Sequence, residues 1–252
     1  MISAAFYTII SVLAVSLVSI IGVIFIFLKK QSLKKILLFL VSLSAGSLFG
    51  GAFLHILPEV VEEQGFTLTI SLSVLGGIML FFLIEKVIHW RHCHIPTSDD
   101  HPHHLAPMNL IGDGVHNFVD GLIIAAAYLV DVHVGIATTL AVLLHEVPQE
   151  IGDFGVLLHA GLSKAKALFY NFLSALTALV GAIIGLIIGS GSEMFTLLIL
   201  PFAAGGFLYI AGSDLIPELH KECKPKDIAL HFGAMLLGIG LMVALKFLEF
   251  GV

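Results

Sequence analysis

Two stretches of the sequence carry polar and ionisable side chains at helical spacing within apolar surroundings. The first reads MNLIGDGVHNFVDGLIIAAAYL. Its polar residues stand three or four positions apart, which places them on one face of a helix. They are Asp113, His116, Asn117 and Asp120.

The second stretch reads LAVLLHEVPQEIGDFGVLLHAG, and His145 and Gln149 lie one helical turn apart in it. Pro148 removes a backbone donor, which predicts a bend and leaves the carbonyl of Leu144 available to a ligand or a side chain. Two imidazoles with carboxylates and amides suit borderline divalent ions such as Zn²⁺, Fe²⁺, Mn²⁺ or Co²⁺. A neighbouring stripe supplies the carboxylates Glu146, Glu150 and Asp153.

The composition places these stretches in a membrane. Hydrophobic residues make up 58% of the 252 residues, charged residues 12%, and the mean hydropathy is +1.05, whereas a soluble globule carries roughly 25% charged residues. A helix crosses the hydrocarbon core with about 20 apolar residues. We therefore predict an all-α polytopic membrane protein, one transmembrane domain over residues 1–252. Its eight spans lie near 5–28, 36–57, 67–88, 108–130, 134–160, 167–188, 194–216 and 228–249.

The basic residues predict the orientation of these spans. Eleven of the twelve lysines and arginines fall in loops on one side, and only Lys246 lies toward the other. The positive-inside rule makes the basic side cytoplasmic, so both termini are expected to be extracytoplasmic. The cell membrane is the expected location, and an organelle membrane stays open.

The acidic residues of the two polar spans need compensation. An ionised carboxylate at the bilayer centre costs about 2.5–3.5 kcal/mol, so five of them would cost on the order of 10 kcal/mol. Neither span contains lysine or arginine, which leaves protons and bound cations. The alternative is a buried polar network that only joins two helices, and nine polar or ionisable residues are more than such a network needs.

Two further segments resemble each other in opposite directions across the membrane. SAGSLFGGAFLHILPE, residues 44–59, aligns without gaps with AAGGFLYIAGSDLIPE, residues 203–218, and His55 falls opposite Asp214. Inverted repeats with broken helices are an architecture of secondary transporters. We predict such a repeat, spans 1–3 and 6–8 around a central pair of spans 4 and 5; chance similarity is the alternative. His55, Asp214 and Glu218 are predicted pathway residues.

The motifs HNFVDG at residues 116–121 and HEVPQEIGD at residues 145–153 resemble those of the ZIP (Zrt-, Irt-like protein) family. The subgroup with HNxxDG and HExPHExGD is the most similar, and HILPE, NFLSALTA and FLYIAGSDLIPE extend the resemblance over nearly the whole chain. The resemblance implies eight spans and transport of divalent transition metals into the cytoplasm, zinc foremost and also iron, manganese or cobalt. It implies a homodimer by analogy, and neither a cofactor nor nucleic acid is expected.

The resemblance also implies two adjacent metal sites that share Asp120. The first comprises His116, Asp120, His145 and Gln149. The second comprises Asn117, Asp120, Glu146 and Gln149, and Glu150 is included among the metal residues. The chain departs from the subgroup at Gln149, where histidine is usual, and places Ser174 where some members have glutamate. Asp113, Asp153 and Ser174 are predicted to line the transport pathway.

The loop after the third span, residues 89–107, is rich in histidine. On the cytoplasmic side it is predicted to bind metal loosely as the ion leaves, and a solvated linker is the alternative. The histidines in question are His92, His94, His101, His103 and His104.

Two other function classes compete with a transporter. An intramembrane metalloenzyme is suggested by the superficial likeness of residues 145–149 to an HExxH helix, but Gln149 replaces the second histidine and Pro148 interrupts the turn. A metal sensor would bind without moving ions and would have no need of an inverted repeat. The sequence therefore predicts a transporter and not an enzyme.

Overall fold

A computed structural model describes residues 2–21, 30–93, 105–220 and 225–249, which are helical and contain no strand within those ranges. We number the helices in chain order. The helices with a single regular stretch are α3 (Leu68–Cys93), α4 (Leu105–Val130), α5 (Val132–His159) and α8 (Pro225–Glu249). Those with a change of geometry are α1 (Ile2–Val18, then a 3-10 turn Ser19–Ile21), α2 (Lys30–Gly50, a π-helix Gly51–Ile56, then Leu57–Gln64), α6 (Lys164–Ala175 and Thr177–Gly189) and α7 (Glu193–Tyr209, a π-helix Ile210–Leu215, then Ile216–Leu219).

Six helices in the described ranges are long and apolar enough to cross a membrane, judged by length and composition alone. A seventh apolar helix, Leu197–Ser213, is shorter, and α5 carries the second polar stretch. The prediction of an all-α polytopic membrane protein is confirmed, and the number of eight spans stays a prediction. The six segments are Ser3–Ile21, Lys35–Glu62, Leu68–Lys86, Asn109–Val130, Lys164–Gly189 and Pro225–Phe247.

The packing is that of a helix bundle whose large apolar side chains face outward. The buried interior is rich in alanine and in polar residues, while large apolar side chains cover the outside; Leu68 and Phe247 are each 74% exposed. In water such a surface would be a large apolar patch, which soluble monomers rarely expose. Small buried residues let neighbouring helices approach closely.

Two of the close helix approaches form a matching pair. A Cβ atom added to Gly205 of α7 would lie 2.0 Å from the carbonyl oxygen of Val74 in α3. One added to Gly46 of α2 would lie 2.0 Å from the carbonyl oxygen of Met235 in α8. Gly46 and Gly205 are opposite each other in the aligned segments, so α2–α8 and α7–α3 pack with the two-fold arrangement that the inverted repeat predicts.

The same alignment brings the two π-helices into register. Gly51–Ile56 and Ile210–Leu215 are both six residues long, and both begin seven positions after the start of their segment. A π-helical stretch holds an extra residue within an α-helix and is frequent at functional sites. The two halves therefore share a backbone irregularity that residue types alone do not predict.

Asp131 forms the only residue between α4 and α5 and caps the start of α5. Its side chain accepts hydrogen bonds from the backbone N–H groups of His133 at 2.7 Å and Val134 at 3.4 Å. Burial acts to raise the pKa of Asp131, but these bonds and the adjacent imidazole outweigh it and hold the pKa below its usual value. This short, capped connection places α4 and α5 side by side.

Candidate metal centre

The polar faces of α4 and α5 meet at two histidines. His116 Nε2 lies 3.2 Å from His145 Nε2, and the two rings are nearly perpendicular at 74°. His145 is buried and His116 is slightly exposed, at 13% of its side chain. Two features produce this contact. Helical spacing puts each histidine on a polar face, and a single-residue connection holds the two helices side by side.

Two carboxylates complete a four-residue cluster. Asp120 Oδ2 lies 3.2 Å from His145 Nε2 and 3.6 Å from His116 Nε2. Glu146 Oε1 lies 3.5 Å from each of the same nitrogens. One ligand atom from each of the four residues can be chosen so that all lie within 4.8 Å of one another. The cluster therefore presents two nitrogens and two oxygens to one point.

The orientation of the two imidazoles is determined by their neighbours. His145 Nδ1 donates to the carbonyl oxygen of Ala141 at 3.1 Å, which leaves the Nε2 lone pair directed into the cluster; such an outer hydrogen bond is usual for metal-binding histidine. Phe81 packs edge-on against the His116 ring at 5.7 Å, and Phe207 against the His145 ring at 6.1 Å. Both rings are thus held in place before any ligand binds.

Several buried oxygens in and beside the cluster have no hydrogen-bond donor in the described part of the chain. They include both carboxylate oxygens of Asp120, both of Glu146, and Oδ1 of Asn117. Asp120, Glu146 and Asn117 are fully buried. Because an unpaired buried acceptor is costly, this arrangement is suited to a cation that would accept all of these oxygens as ligands.

Asp113, in contrast, is well supplied with donors. Asn117 Nδ2 donates to Asp113 Oδ1 at 2.9 Å, and Ser174 Oγ donates to Asp113 Oδ2. Gln149 lines the same cavity as this carboxylate. The structure therefore joins Asn117 and Ser174 to Asp113 by hydrogen bonds, and the role of these residues in a transport pathway stays a prediction.

Glu150 is fully buried and is linked to α6. Its Oε2 accepts a hydrogen bond from Asn171 Nδ2 at 2.5 Å, whereas its Oε1 has no donor within the described residues. Asn171 was not among the predicted site residues. A lone asparagine in an apolar span is the signal that could have drawn attention to it, since a buried amide needs partners.

A cavity of about 320 Å³ leads away from the histidines. Its lining comes from the half of the bundle that the basic residues predict to be cytoplasmic. Two of its lining residues, Glu85 and Tyr209, were not predicted from the sequence. In the cavity wall, Tyr209 Oη donates a hydrogen bond to Glu85 Oε2. The polar lining residues are Glu85, Asn109, Asp113, His116, His145, Gln149, Asp153 and Tyr209.

Pro148 lies inside α5, which is helical from Val132 to His159. The Leu144 carbonyl, which the proline leaves without its helical donor, accepts a hydrogen bond from Ser44 Oγ of α2. A neighbouring side chain therefore uses this carbonyl. The contact ties the helix of the cluster to the first segment of the repeat.

The remaining predicted residues lie elsewhere. His55 is buried in the first π-helix, where its Nε2 donates to the Met242 carbonyl oxygen of α8 at 2.9 Å, away from the cluster and the cavity lining. Asp214 lies in the second π-helix and Glu218 in the helix that follows, and their side chains fall outside the described residues. His92 is near the end of α3 with its side chain likewise outside the description. The loop histidines His94, His101, His103 and His104 lie outside the described residues.

Comparison with known protein families decides the relationship. The family model described as ZIP zinc transporter matches residues 2–108 and 101–246, nearly the whole chain. The chain belongs to the ZIP family. The predicted family is therefore confirmed, and the chain is an integral membrane transporter and not an enzyme, because the family consists of transporters.

Three relatives illustrate the similarity within the ZIP family. Zinc transporter zipt-7.1 of Caenorhabditis briggsae is 31% identical over 278 residues, which cover 83% of this chain and 71% of the relative. Zinc transporter ZIP13 of Danio rerio is 33% identical over 270 residues, covering 86% and 76%. Metal cation symporter ZIP14 of Xenopus tropicalis is 31% identical over 293 residues, covering 88% and 63%, so the chain spans less than two thirds of that relative.

Proposed function

We propose that this chain carries divalent transition-metal ions, zinc foremost, across the membrane into the cytoplasm through the cluster of His116, Asp120, His145 and Glu146. The geometry of the four ligand atoms is the observation that carries the proposal. Ligands about 2.0–2.2 Å from a tetrahedral Zn²⁺ lie roughly 3.3–3.6 Å apart. The distance between the two imidazole nitrogens and the four distances from these nitrogens to the carboxylate oxygens run from 3.2 to 3.6 Å.

The donor types favour the same class of ion. Two imidazole nitrogens with carboxylates suit Zn²⁺, Fe²⁺, Mn²⁺ or Co²⁺ better than Ca²⁺ or Mg²⁺, which prefer oxygen alone. The names of the relatives, two zinc transporters and one metal cation symporter, agree with this choice. We propose zinc as the main cargo and the other three ions as further cargo.

A second ion position lies beside the first in this proposal. The oxygens without donors on Asn117, Asp120, Glu146 and Glu150 supply an oxygen-rich set, and Gln149 lines the adjoining cavity. Asp120 and Glu146 each have two such oxygens, so each can bridge the two positions. Glu150, which the sequence analysis included among the metal residues, belongs to this second position.

The cavity supplies the inner part of the route. It begins at His116 and His145 and is lined by the carboxylates of Glu85, Asp113 and Asp153. Among the residues that the structure describes, no lysine or arginine lines it. A negatively lined passage attracts cations and excludes anions. Its position in the basic half of the bundle supports release on the cytoplasmic side.

The membrane arrangement forms part of the same proposal. The exposed apolar side chains support a surrounding lipid bilayer, and the loop charges support extracytoplasmic termini. The cell membrane and a homodimer are proposed by family analogy.

Uptake by proteoliposomes tests the proposal. Purified protein is reconstituted around a fluorescent zinc indicator, and influx of Zn²⁺ is recorded for the wild type and for the double variant His116→Ala/His145→Ala. His133→Ala is the matched control, because this histidine lies in the first turn of α5, away from the cluster, and its side chain is 48% exposed. We expect flux to be lost in the double variant and kept in the control.

Two results would overturn the proposal. Flux through the double variant at the wild-type rate would show that the ion does not pass the cluster. Tight zinc binding by a wild-type protein that shows no flux would instead support a metal sensor.

A further inference from the structure

Asn171 of α6 is fully buried, and its side-chain nitrogen faces acceptors only. Nδ2 lies 2.5 Å from Oε2 of Glu150, 3.4 Å from the backbone carbonyl oxygen of Glu150 and 3.5 Å from the carbonyl oxygen of Ser19. Its Oδ1 has no hydrogen-bond donor in the described part of the chain. The amide therefore gives its donors to three oxygens and leaves its own acceptor unpaired.

This orientation of the amide follows from its surroundings. Rotating the amide by half a turn would place Oδ1 against the same oxygens, and carbonyl and ionised carboxylate oxygens cannot donate. The unpaired Oδ1 carries a free-energy cost. The cost is tolerated at a position where the donor reaches the carboxylate of Glu150.

We propose that Asn171 is a positioning residue of the metal pathway, which holds Oε2 of Glu150 and so presents Oε1 to the transported divalent cation. This inference rests on the proposed function. Glu150 follows Glu146 by one helical turn on α5, and its Oε1 is buried without a donor. Anchoring one oxygen of a flexible carboxylate lowers the conformational entropy lost when the other oxygen binds the ion.

Ser174 shows that α6 plays the same part toward the other polar helix. It follows Asn171 by three residues and donates to the carboxylate of Asp113 on α4. Asn171 thus supports a carboxylate of α5 and Ser174 one of α4, although α6 contributes no residue to the four-residue cluster. Outer partners of this kind typically change metal affinity by roughly 10–100-fold when they are removed.

Zinc titration of the purified full chain in lipid nanodiscs tests the inference. We expect Asn171→Ala to raise the zinc dissociation constant by roughly 10–100-fold. Thr177→Ala is the matched control: it removes a hydrogen bond from the same helix to the carbonyl oxygen of Gly114, at 2.5 Å, but touches no carboxylate. The melting temperature without metal verifies that each variant is folded.

A double-mutant cycle separates positioning from a purely structural effect. Glu150→Gln replaces the carboxylate by a neutral amide, and in that background Asn171→Ala should cause no further loss of affinity. Asn171→Leu keeps a similar volume but has no donor, so it should weaken binding as the alanine variant does. This variant of similar size keeps the test valid if the alanine variant does not fold.

The outcomes distinguish this inference from the function on which it rests. If the wild type binds and transports zinc but the two substitutions act additively, or if Asn171→Leu leaves zinc binding unchanged, positioning by Asn171 is wrong while the transport function stands. If the wild type neither binds nor transports a divalent ion, the proposed function itself is overturned.

Discussion

Adjacent glycines of α3 differ in what a methyl group would meet. A Cβ atom on Gly77 would lie 2.0 Å from the carbonyl oxygen of Phe202, 2.9 Å from its carbonyl carbon and 3.0 Å from the backbone nitrogen of Gly206. All three atoms are backbone of α7. A Cβ atom on Gly76 would meet only the ring of Phe202, at an ordinary 3.7 Å. Gly77→Ala and Gly76→Ala therefore form a matched pair.

The structure gives the size of the effect. An added methyl group needs about 3.4 Å to a neighbouring atom, so Gly77→Ala requires α3 and α7 to separate by roughly 1.4 Å. This separation weakens the other contacts between the two helices, because gaps of 0.5–1 Å already lose about a quarter to a half of a contact's dispersion energy. Overpacking of this kind costs about 1–3 kcal/mol. Both variants gain the same helix propensity, about 0.5–1 kcal/mol. We expect Gly77→Ala to be less stable than Gly76→Ala by about 1–3 kcal/mol.

Equilibrium unfolding in identical detergent micelles measures this difference. Gly76→Ala should equal or exceed the wild type in stability, and Gly77→Ala should fall below it. Zinc affinity gives a second measurement, because Phe81 lies one turn beyond Gly77 and packs against the His116 ring. Zinc affinity should fall in Gly77→Ala and stay unchanged in Gly76→Ala. Equal stabilities of the two variants would refute the close approach of α3 and α7.

Three further predictions use other contacts. Gln149→His should tighten zinc binding several-fold in an equilibrium titration, because imidazole binds zinc better than an amide. Asp131→Ala should lower stability at neutral pH by about 0.5–2 kcal/mol, as loss of a helix cap does. Because the pKa of Asp131 is lowered in the folded protein, the stability that Asp131 adds is complete above the ordinary carboxyl pKa and is lost as the pH falls through the lowered pKa. The melting temperatures of the wild type and the variant should therefore converge in acid. Tyr128→Phe should cost about 1–3 kcal/mol in thermal unfolding, because Ser11 Oγ, 2.9 Å from Tyr128 Oη, loses a buried partner; adding Ser11→Ala should restore part of the loss.

The contact between His116 and His145 was predictable because two physical rules act together. Helical periodicity places each residue on a polar face, and the cost of polar groups in lipid turns both faces toward the bundle interior. Asp120 follows from the same two rules. The stripe pattern did not place Glu146 with the histidines, and the family resemblance put Gln149 beside them, whereas the structure brings Glu146 to the cluster. The metal-binding role of these residues stays a prediction.

Contacts that depend on the packing of helices distant in the sequence could not be predicted from the sequence. The partners of Asn171 and Glu85 lie on other helices, Glu150 on α5 and Tyr209 on α7, so they follow only from how α6 and α3 pack. The π-helices have no residue signature either. The spans near 36–57 and 194–216 were shorter than α2 and α7, because hydropathy marks the part within the hydrocarbon core while the helical hydrogen bonds continue beyond it.

The paired π-helices mark where the chain can change in length. Because a π-helical stretch holds an extra residue within an α-helix, removing one residue from Gly51–Ile56 would return that stretch to α-helical geometry and leave Pro58 and the rest of α2 close to their present orientation. The equivalent stretch of α7 would stay as it is, and the two halves would lose their correspondence. Single-residue deletions should therefore be better tolerated here than in the regular stretches of α2 and α7, where each deletion would turn the following residues by about 100°.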